Sequence, residues 1–198
     1  MGKKAKGLQI KTKNFCADQI HGEFGKPWKV KKKTGKKEYS DYIGTILFSE
    51  KDMYKCCEMF ISMDEELTAS EYVELLEAVV DYKFDNEESE FVRVRRELAE
   101  SGELRAALSQ LGFEIDPVDE AFLIKQKEPT NWIAIYMCLG VSIGCALGTA
   151  NNNMSIGMCI GIAIGVMLGS ALTSSAKKKQ EELNRARIAG EPPVLDEE

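Results

Sequence analysis

The sequence predicts a membrane α-helical hairpin of two transmembrane helices attached to a small cytoplasmic α+β or mostly helical domain. Three observations predict it. The chain runs from Asn131 to Ala176, 46 residues, without a charge; seven glycines inside that run recur at every fourth position; and the preceding residues carry the mixed polar and apolar patterning of a water-soluble domain. The expected organisation is a basic, strand-rich region over 1–48, an acidic helical region over 49–124, a linker over 125–131, the hairpin over 132–173, and a charged helix extension with a disordered tail over 174–198.

Charge divides the chain before any motif does. Residues 1–37 hold 12 Lys against Asp18 and Glu23, whereas residues 38–124 hold 23 acidic and 7 basic residues. No apolar run with a small-residue cleavage site follows the first lysines, so the leading 120 residues are expected to stay where they are made. Six Cys lie at 16, 56, 57, 138, 145 and 159 without a C-x-x-C pair. That pattern suggests neither a disulfide framework nor a zinc site and fits a reducing cytoplasm.

In the basic region, Trp28 to Lys33 and Lys36 to Tyr39 flank Thr34-Gly35, a tight-turn pattern, and Tyr42 to Phe48 is rich in strand formers. The lysines Lys29, Lys31, Lys32, Lys33, Lys36 and Lys37 are candidate contacts for anionic lipid, each contributing about 1 kcal/mol near a charged surface. Nucleic acid, stacked on Trp28 and Tyr39, is the disfavoured alternative.

From Ser49 the spacing becomes helical. Thr68 to Glu71 is a capping box, followed by Tyr72, Leu75, Leu76, Val79 and Val80 on one face. Met53, Cys57 and Phe60 suggest a helix before it. Phe91, Val94 and Leu98, then Leu104, Ala107, Leu108 and Leu111, suggest two more, with Gly102 and Gly112 as their ends. A calcium loop ending at Glu71 would place Glu65 where glycine is required, which excludes it.

The apolar run is long enough for two crossings, because a bilayer core of about 30 Å needs roughly 20 residues of helix. Asn151-Asn152-Asn153 interrupts it, predicting one helix from Trp132 to Ala150 and a second from Met154 to about Thr173, which Lys177 to Ala189 can extend until Gly190. Lys125 and Lys127 precede the pair, Lys177, Lys178 and Lys179 follow it, and the turn is uncharged. By the positive-inside rule both termini face the cytoplasm of a multi-pass cell-membrane protein. Trp132 and Tyr136 stand where an interfacial anchor is expected.

Gly140, Gly144 and Gly148 form a ridge on the first helix, and Gly157, Gly161, Gly165 and Gly169 one on the second. Seven glycines are a burden in a soluble helix, at about 1 kcal/mol each against Ala. In lipid they permit close backbone approach. Folding the chain about the Asn turn pairs Gly140 with Gly165, Gly144 with Gly161 and Gly148 with Gly157, and sets Gly169 opposite Tyr136. A second small-residue ridge, Cys138, Ser142, Ala146 and Ala150 with Ser155, Cys159, Ala163 and Ala171, lies on nearly the opposite faces.

These residues resemble the bacterial glycine-zipper membrane proteins, whose G-x-x-x-G-x-x-x-G segments form packed two-helix membrane units. The resemblance covers residues 132–173 alone and implies membrane insertion and helix association. A looser similarity exists to the uncharged hairpins of pore-forming toxins.

Neither G-x-G-x-x-G nor G-x-x-x-x-G-K-[ST] occurs, which excludes the phosphate-cradling loops. His21 is the single histidine, five residues after Cys16, and no acid and base pair stands out. The chain is therefore expected not to be an enzyme and to use neither cofactor nor metal. Its expected role is to anchor and oligomerise a cytoplasmic interaction domain, with membrane lipids, a second copy and a cytoplasmic protein as partners. The alternative is a pore or channel-like toxin element built from assembled hairpins. Absence of any ionisable residue from the crossings favours the anchor.

Overall fold

A computed structural model describes residues 8–20, 26–35, 38–99, 101–150 and 152–193. His21, Lys36, Lys37 and Asn151 fall outside them. The chain divides into two compact units, Met1–Lys127 and Glu128–Glu198.

The first unit is built on an eight-stranded sheet of order β1-β2-β3-β4-β5-β6-β8-β7. Its first five strands, β1 (Gln9–Lys11), β2 (Phe15–Gln19), β3 (Trp28–Lys33), β4 (Tyr39–Phe48) and β5 (Cys56–Met63), form an antiparallel meander. Helix α1 (Ala69–Asn86) then crosses over, and β6 (Phe91–Arg95) pairs parallel to β5. A short 3-10 turn, α2 (Gly102–Gln110), β7 (Glu114–Ile115) and β8 (Phe122–Gln126) complete the unit.

The capping box forms as its spacing requires: Thr68 Oγ1 accepts from the Glu71 amide, and the Glu71 carboxylate accepts from the Thr68 amide. Helix α1 buries Tyr72, Leu75, Leu76, Val79 and Val80. They join Phe15, Ala17, Trp28, Val30, Ile46 and Met59 from the sheet in one core. Trp28, 1% exposed, meets the Tyr82 ring edge-on at 5.1 Å. It is a core residue and offers no stacking face to a nucleic acid.

Two expected helices are strands. Met53, Cys57 and Phe60 satisfy helical spacing, yet Cys57, Met59 and Ile61 alternate into the core while Phe60 and Ser62 point outward in β5. Phe91 and Val94 share helical spacing, yet in β6 Val92 and Val94 face the core while Arg93 and Arg95 lie on the other face beside buried Phe91. Leu98 belongs to the following 3-10 turn, Arg96–Ala99. Gly102 does not end a helix; it opens α2 behind the Ser101 cap, whereas Gly112, at φ 80°, closes it. Among the described residues the region over 49–124 thus holds β5, β6, β7 and the start of β8 beside α1 and α2, and the unit is not mostly helical.

The second unit consists of α3 (Trp132–Ala150) and α4 (Met154–Ala189), packed against each other. Asn152 takes the left-handed backbone of the turn at φ 54°. The Asn153 side chain makes no capping bond, but its amide donates to Gly148 O at 2.8 Å. Helix α4 runs past the apolar segment to Gly190, whose φ of 70° ends it.

Candidate functional site: the glycine seam and its surroundings

Between α3 and α4 the glycines interleave. A Cβ on Gly140 would fall on the Gly161 carbonyl and lie 3.2 Å from Gly165 Cα; one on Gly144 would meet the Gly157 carbonyl and lie 3.0 Å from Gly161 Cα. At Gly148 it would sit 2.8 Å from Met154 Cα and 3.1 Å from Gly157 Cα. Each glycine therefore sits between two levels of the opposite helix, so that the three rungs meet through Cα while the carbonyl contacts fall one step off, on Gly161, Gly157 and Asn153. Gly169 departs from the folding rule: its hypothetical Cβ lies 2.5 Å from Ile133 Cα and 2.9 Å from Trp132 O, and it is Gly165 that faces the Tyr136 carbonyl.

The packing is inverted relative to a water-soluble helix pair. Six of the seven glycines are buried, while fourteen large apolar side chains from Ile135 to Leu172 are 36% to 65% exposed. Leaving these half out of an apolar medium forgoes on the order of 10 kcal/mol, comparable with the whole stability of a domain. Both helices are long and apolar enough to cross a membrane.

Cys138, Ser142, Ala146, Ala150, Ser155, Cys159, Ala163 and Ala171 of the second ridge are all exposed. On one side of the seam an apolar groove of about 410 Å³ has glycine backbone as its floor and Ile143, Leu147, Ile156, Ile160 and Ile164 as its walls. Hydroxyls in the helices are satisfied locally: Ser142 donates to Cys138 O at 2.9 Å, Thr149 to Cys145 O at 2.8 Å and Thr173 to Gly169 O at 2.8 Å. Such self-contained bonds suit a medium without water.

The predicted lysine set is split by the pleat. Lys29 and Lys31 lie on the sheet face away from α1, both over the Tyr42 ring at 5.1 and 4.6 Å, with Lys31 3.5 Å from Asp18. Lys33, opposite Tyr39, continues that row. Lys32 points the other way and pairs with Glu71 on α1 at 2.7 Å. This pair, with the Thr68 amide, holds the Glu71 carboxyl below its ordinary range.

Sequence reasoning misses a second charged cluster. Glu58, 8% exposed on β5, accepts from Arg95 Nε at 2.9 Å and lies 3.8 Å from Arg93 Nη2, and both guanidiniums cover the Phe122 ring. The ion pairs clamp β5 to β6, which share only the three rungs Cys56–Glu58. No local signal reveals it, because Glu58 and Arg95 meet only through strand pairing. At the start of α1, where a helix favours anions, the chain's own groups occupy the amides: Thr68 Oγ1 takes that of Glu71 and Glu103 takes that of Ala69 at 2.6 Å. Among the described residues no three His, Cys, Asp or Glu side chains gather as metal ligands. Burial raises the Cys57 thiol pKa, leaving it protonated.

No curated protein matches the sequence. Two solved structures are similar to the chain. The N-terminal domain of a ribosomal-protein-alanine acetyltransferase from Clostridium acetobutylicum shares 13% identity at a TM-score of 0.46, covering 60% of this chain and 95% of that one. An acetyltransferase from Agrobacterium tumefaciens shares 10% identity at 0.45, covering 65% and 98%. The expectation that the chain is not an enzyme is corrected by this finding and withdrawn; likenesses this distant assign no activity in its place. Residues 126–175, which span α3 and the first part of α4, match the family model described as glycine zipper membrane protein.

Proposed function

We propose that α3 and the apolar part of α4, to about Thr173, cross a bilayer as a hairpin, anchor the sheet unit on the cytoplasmic side and self-associate through the second small-residue ridge. The inverted packing carries this reading: glycine backbone fills the seam while Ile, Leu, Val and Met point outward. Lipid solvates those side chains at no cost, and close backbone contact supplies the dispersion energy that holds helices together there. Lysines at 125, 127, 177, 178 and 179 bracket the pair and an uncharged turn joins it, which supports cytoplasmic termini. The apolar groove and the locally bonded hydroxyls favour an anchor over a water-filled path.

Carbonate extraction of membranes with protease protection of each terminus tests the insertion. Retention in the pellet with both termini cleavable from the cytoplasmic side is expected; recovery in the supernatant would sink the reading. Self-association is read from the native thiols, since Cys138 and Cys159 are exposed on the ridge. Disulfide-linked dimers are expected on oxidation in lipid, and a chain that stays monomeric at high protein-to-lipid ratio would refute that part.

A further inference from the structure

Strand pairing gathers lysines that are scattered in sequence. In β1, β2 and β3, Lys11, Cys16 and Lys31 share one row, Lys31 pairs with Tyr42, and Gln9, Asp18 and Lys29 form the next row. All of these lie on the face opposite the core, because the intervening Ile10, Ala17 and Val30 pack into it. A bulge in β4 sets Lys31 opposite Tyr42 directly after Val30 opposite Gly44, so that Ile43 turns inward and Tyr42 outward. Tyr42 is 44% exposed and Phe60, farther along the same face, 38% exposed.

The charge of this face opposes that of the layer behind it. Lys11, Lys29, Lys31 and Lys33 stand against Asp18, whereas α1 carries Glu71, Glu74, Glu77, Asp81 and Asp85 against Lys83. An anionic plane therefore attracts one side of the sheet and repels the other. We propose that this face, which no helix among the described residues covers, docks on the anionic headgroups of a membrane through Lys11, Lys29, Lys31 and Lys33 with Tyr42 and Phe60. The inference rests on the proposed hairpin, which supplies the plane. Only residues 128–131 separate Lys127 from Trp132 at the start of α3, a stretch that reaches about 14 Å when extended. A charged surface acts over about 8–10 Å at physiological salt, and the tether keeps the sheet unit beside the plane so that the face can lie on it. Cationic side chains beside aromatic rings suit this boundary, where ammonium groups meet phosphates and rings reach the acyl border. A free nucleic acid or acidic protein has no such tether.

The test is amine-reactive footprinting of the full chain in vesicles of phosphatidylcholine alone or with phosphatidylserine. Labelling of Lys29, Lys31 and Lys33 is expected to fall at least fivefold in the anionic vesicles and to recover at high salt, with exposed Lys51 unchanged. Equal labelling in both vesicles would overturn the proposal, as would protection that appears only when nucleic acid or an acidic protein is added. A chain carrying Lys29→Glu, Lys31→Glu and Lys33→Glu, checked for unchanged circular dichroism, should lose the protection of Lys11; protection that persists would equally overturn it. Carbonate extraction of the same vesicles reads insertion separately. Equal labelling on inserted protein rejects the face alone, and uninserted protein that binds anionic but not neutral vesicles supports the face without the hairpin.

Discussion

Replacing Gly161 by Ala puts the seam under a defined load. The new methyl would fall on the Gly140 carbonyl oxygen and lie 2.9 Å from both Gly140 C and Gly144 Cα, all of them backbone, so that no flexible side chain can move aside. Ordinary contact begins at 3.4 Å, so the helices must part by at least 0.5 Å at Gly144 and by more at the carbonyl. A gap of 0.5–1 Å forfeits about a quarter to a half of each dispersion contact, and because the ridges interleave, the loss extends to the neighbouring rungs. We expect a destabilisation of about 1–3 kcal/mol, the range for overpacking a close-packed site. Gly102→Ala is the control: nothing lies within 4 Å of its Cβ position, and the change should be neutral or stabilising by up to about 1 kcal/mol. The assay is the separation of spin labels on α3 and α4 in lipid, together with thermal unfolding of the reconstituted chain. A Gly161→Ala chain with unchanged label distance and unchanged melting would refute the interleaved seam.

Further outcomes follow from the sheet unit. Leu76→Ala removes a fully buried side chain between helix and sheet and should cost about 2–5 kcal/mol in urea unfolding. Thr68→Ala removes the α1 cap and should cost about 1 kcal/mol, visible as faster hydrogen exchange in the first turn of α1. Glu71, its pKa depressed chiefly by the Lys32 bond, adds stability that is present above the unfolded value of about 4.3 and is lost as pH falls through the lower folded value. Acid unfolding of Glu71→Gln should accordingly be less steep in that window, and an unaltered profile would show that the Lys32 pair contributes nothing. Cys57 should stay unmodified by a thiol reagent at neutral pH until the unit unfolds, since burial raises its pKa and encloses it.

What could be read from the chain without its fold follows from the range of each interaction. The α1 cap, the two apolar helices and the Asn turn are local, and each is visible in a window of a few residues. The strands β5 and β6 are not: Cys57 and Phe60 fit a helix as well as a strand, and Phe91 and Val94 keep helical spacing while the alternation of Val92, Arg93, Val94 and Arg95 lasts only four residues. The lysine face shows the same limit. A row of Lys29, Lys31, Lys32 and Lys33 reads as one basic patch, but the pleat sends Lys32 to Glu71 and only strand pairing brings Lys11 into the row of Lys31, across Cys16.

The glycine seam was legible because a single solvent rule covers it. In water the burial of large side chains drives packing, and the pattern to find is an apolar stripe; in lipid that drive is absent and the pattern inverts to a stripe of the smallest residue. The constant-sum pairing corresponds to Cα approaches at Gly140 and Gly165, Gly144 and Gly161, and Gly148 and Gly157. Its failure at Gly169 has a geometric cause. Backbone ridges without side chains settle between, rather than opposite, the levels of the partner helix. The offset is the same at each level, since the carbonyls that Gly157, Gly161, Gly165 and Gly169 approach are those of Gly144, Gly140, Tyr136 and Trp132, and Gly169 accordingly meets Trp132 and Ile133. The Tyr136 ring is consequently not required to fill a gap in the seam, and it lies instead 6.2 Å from the Trp132 ring. Both rings belong to the first two turns of α3, immediately after residues 128–131.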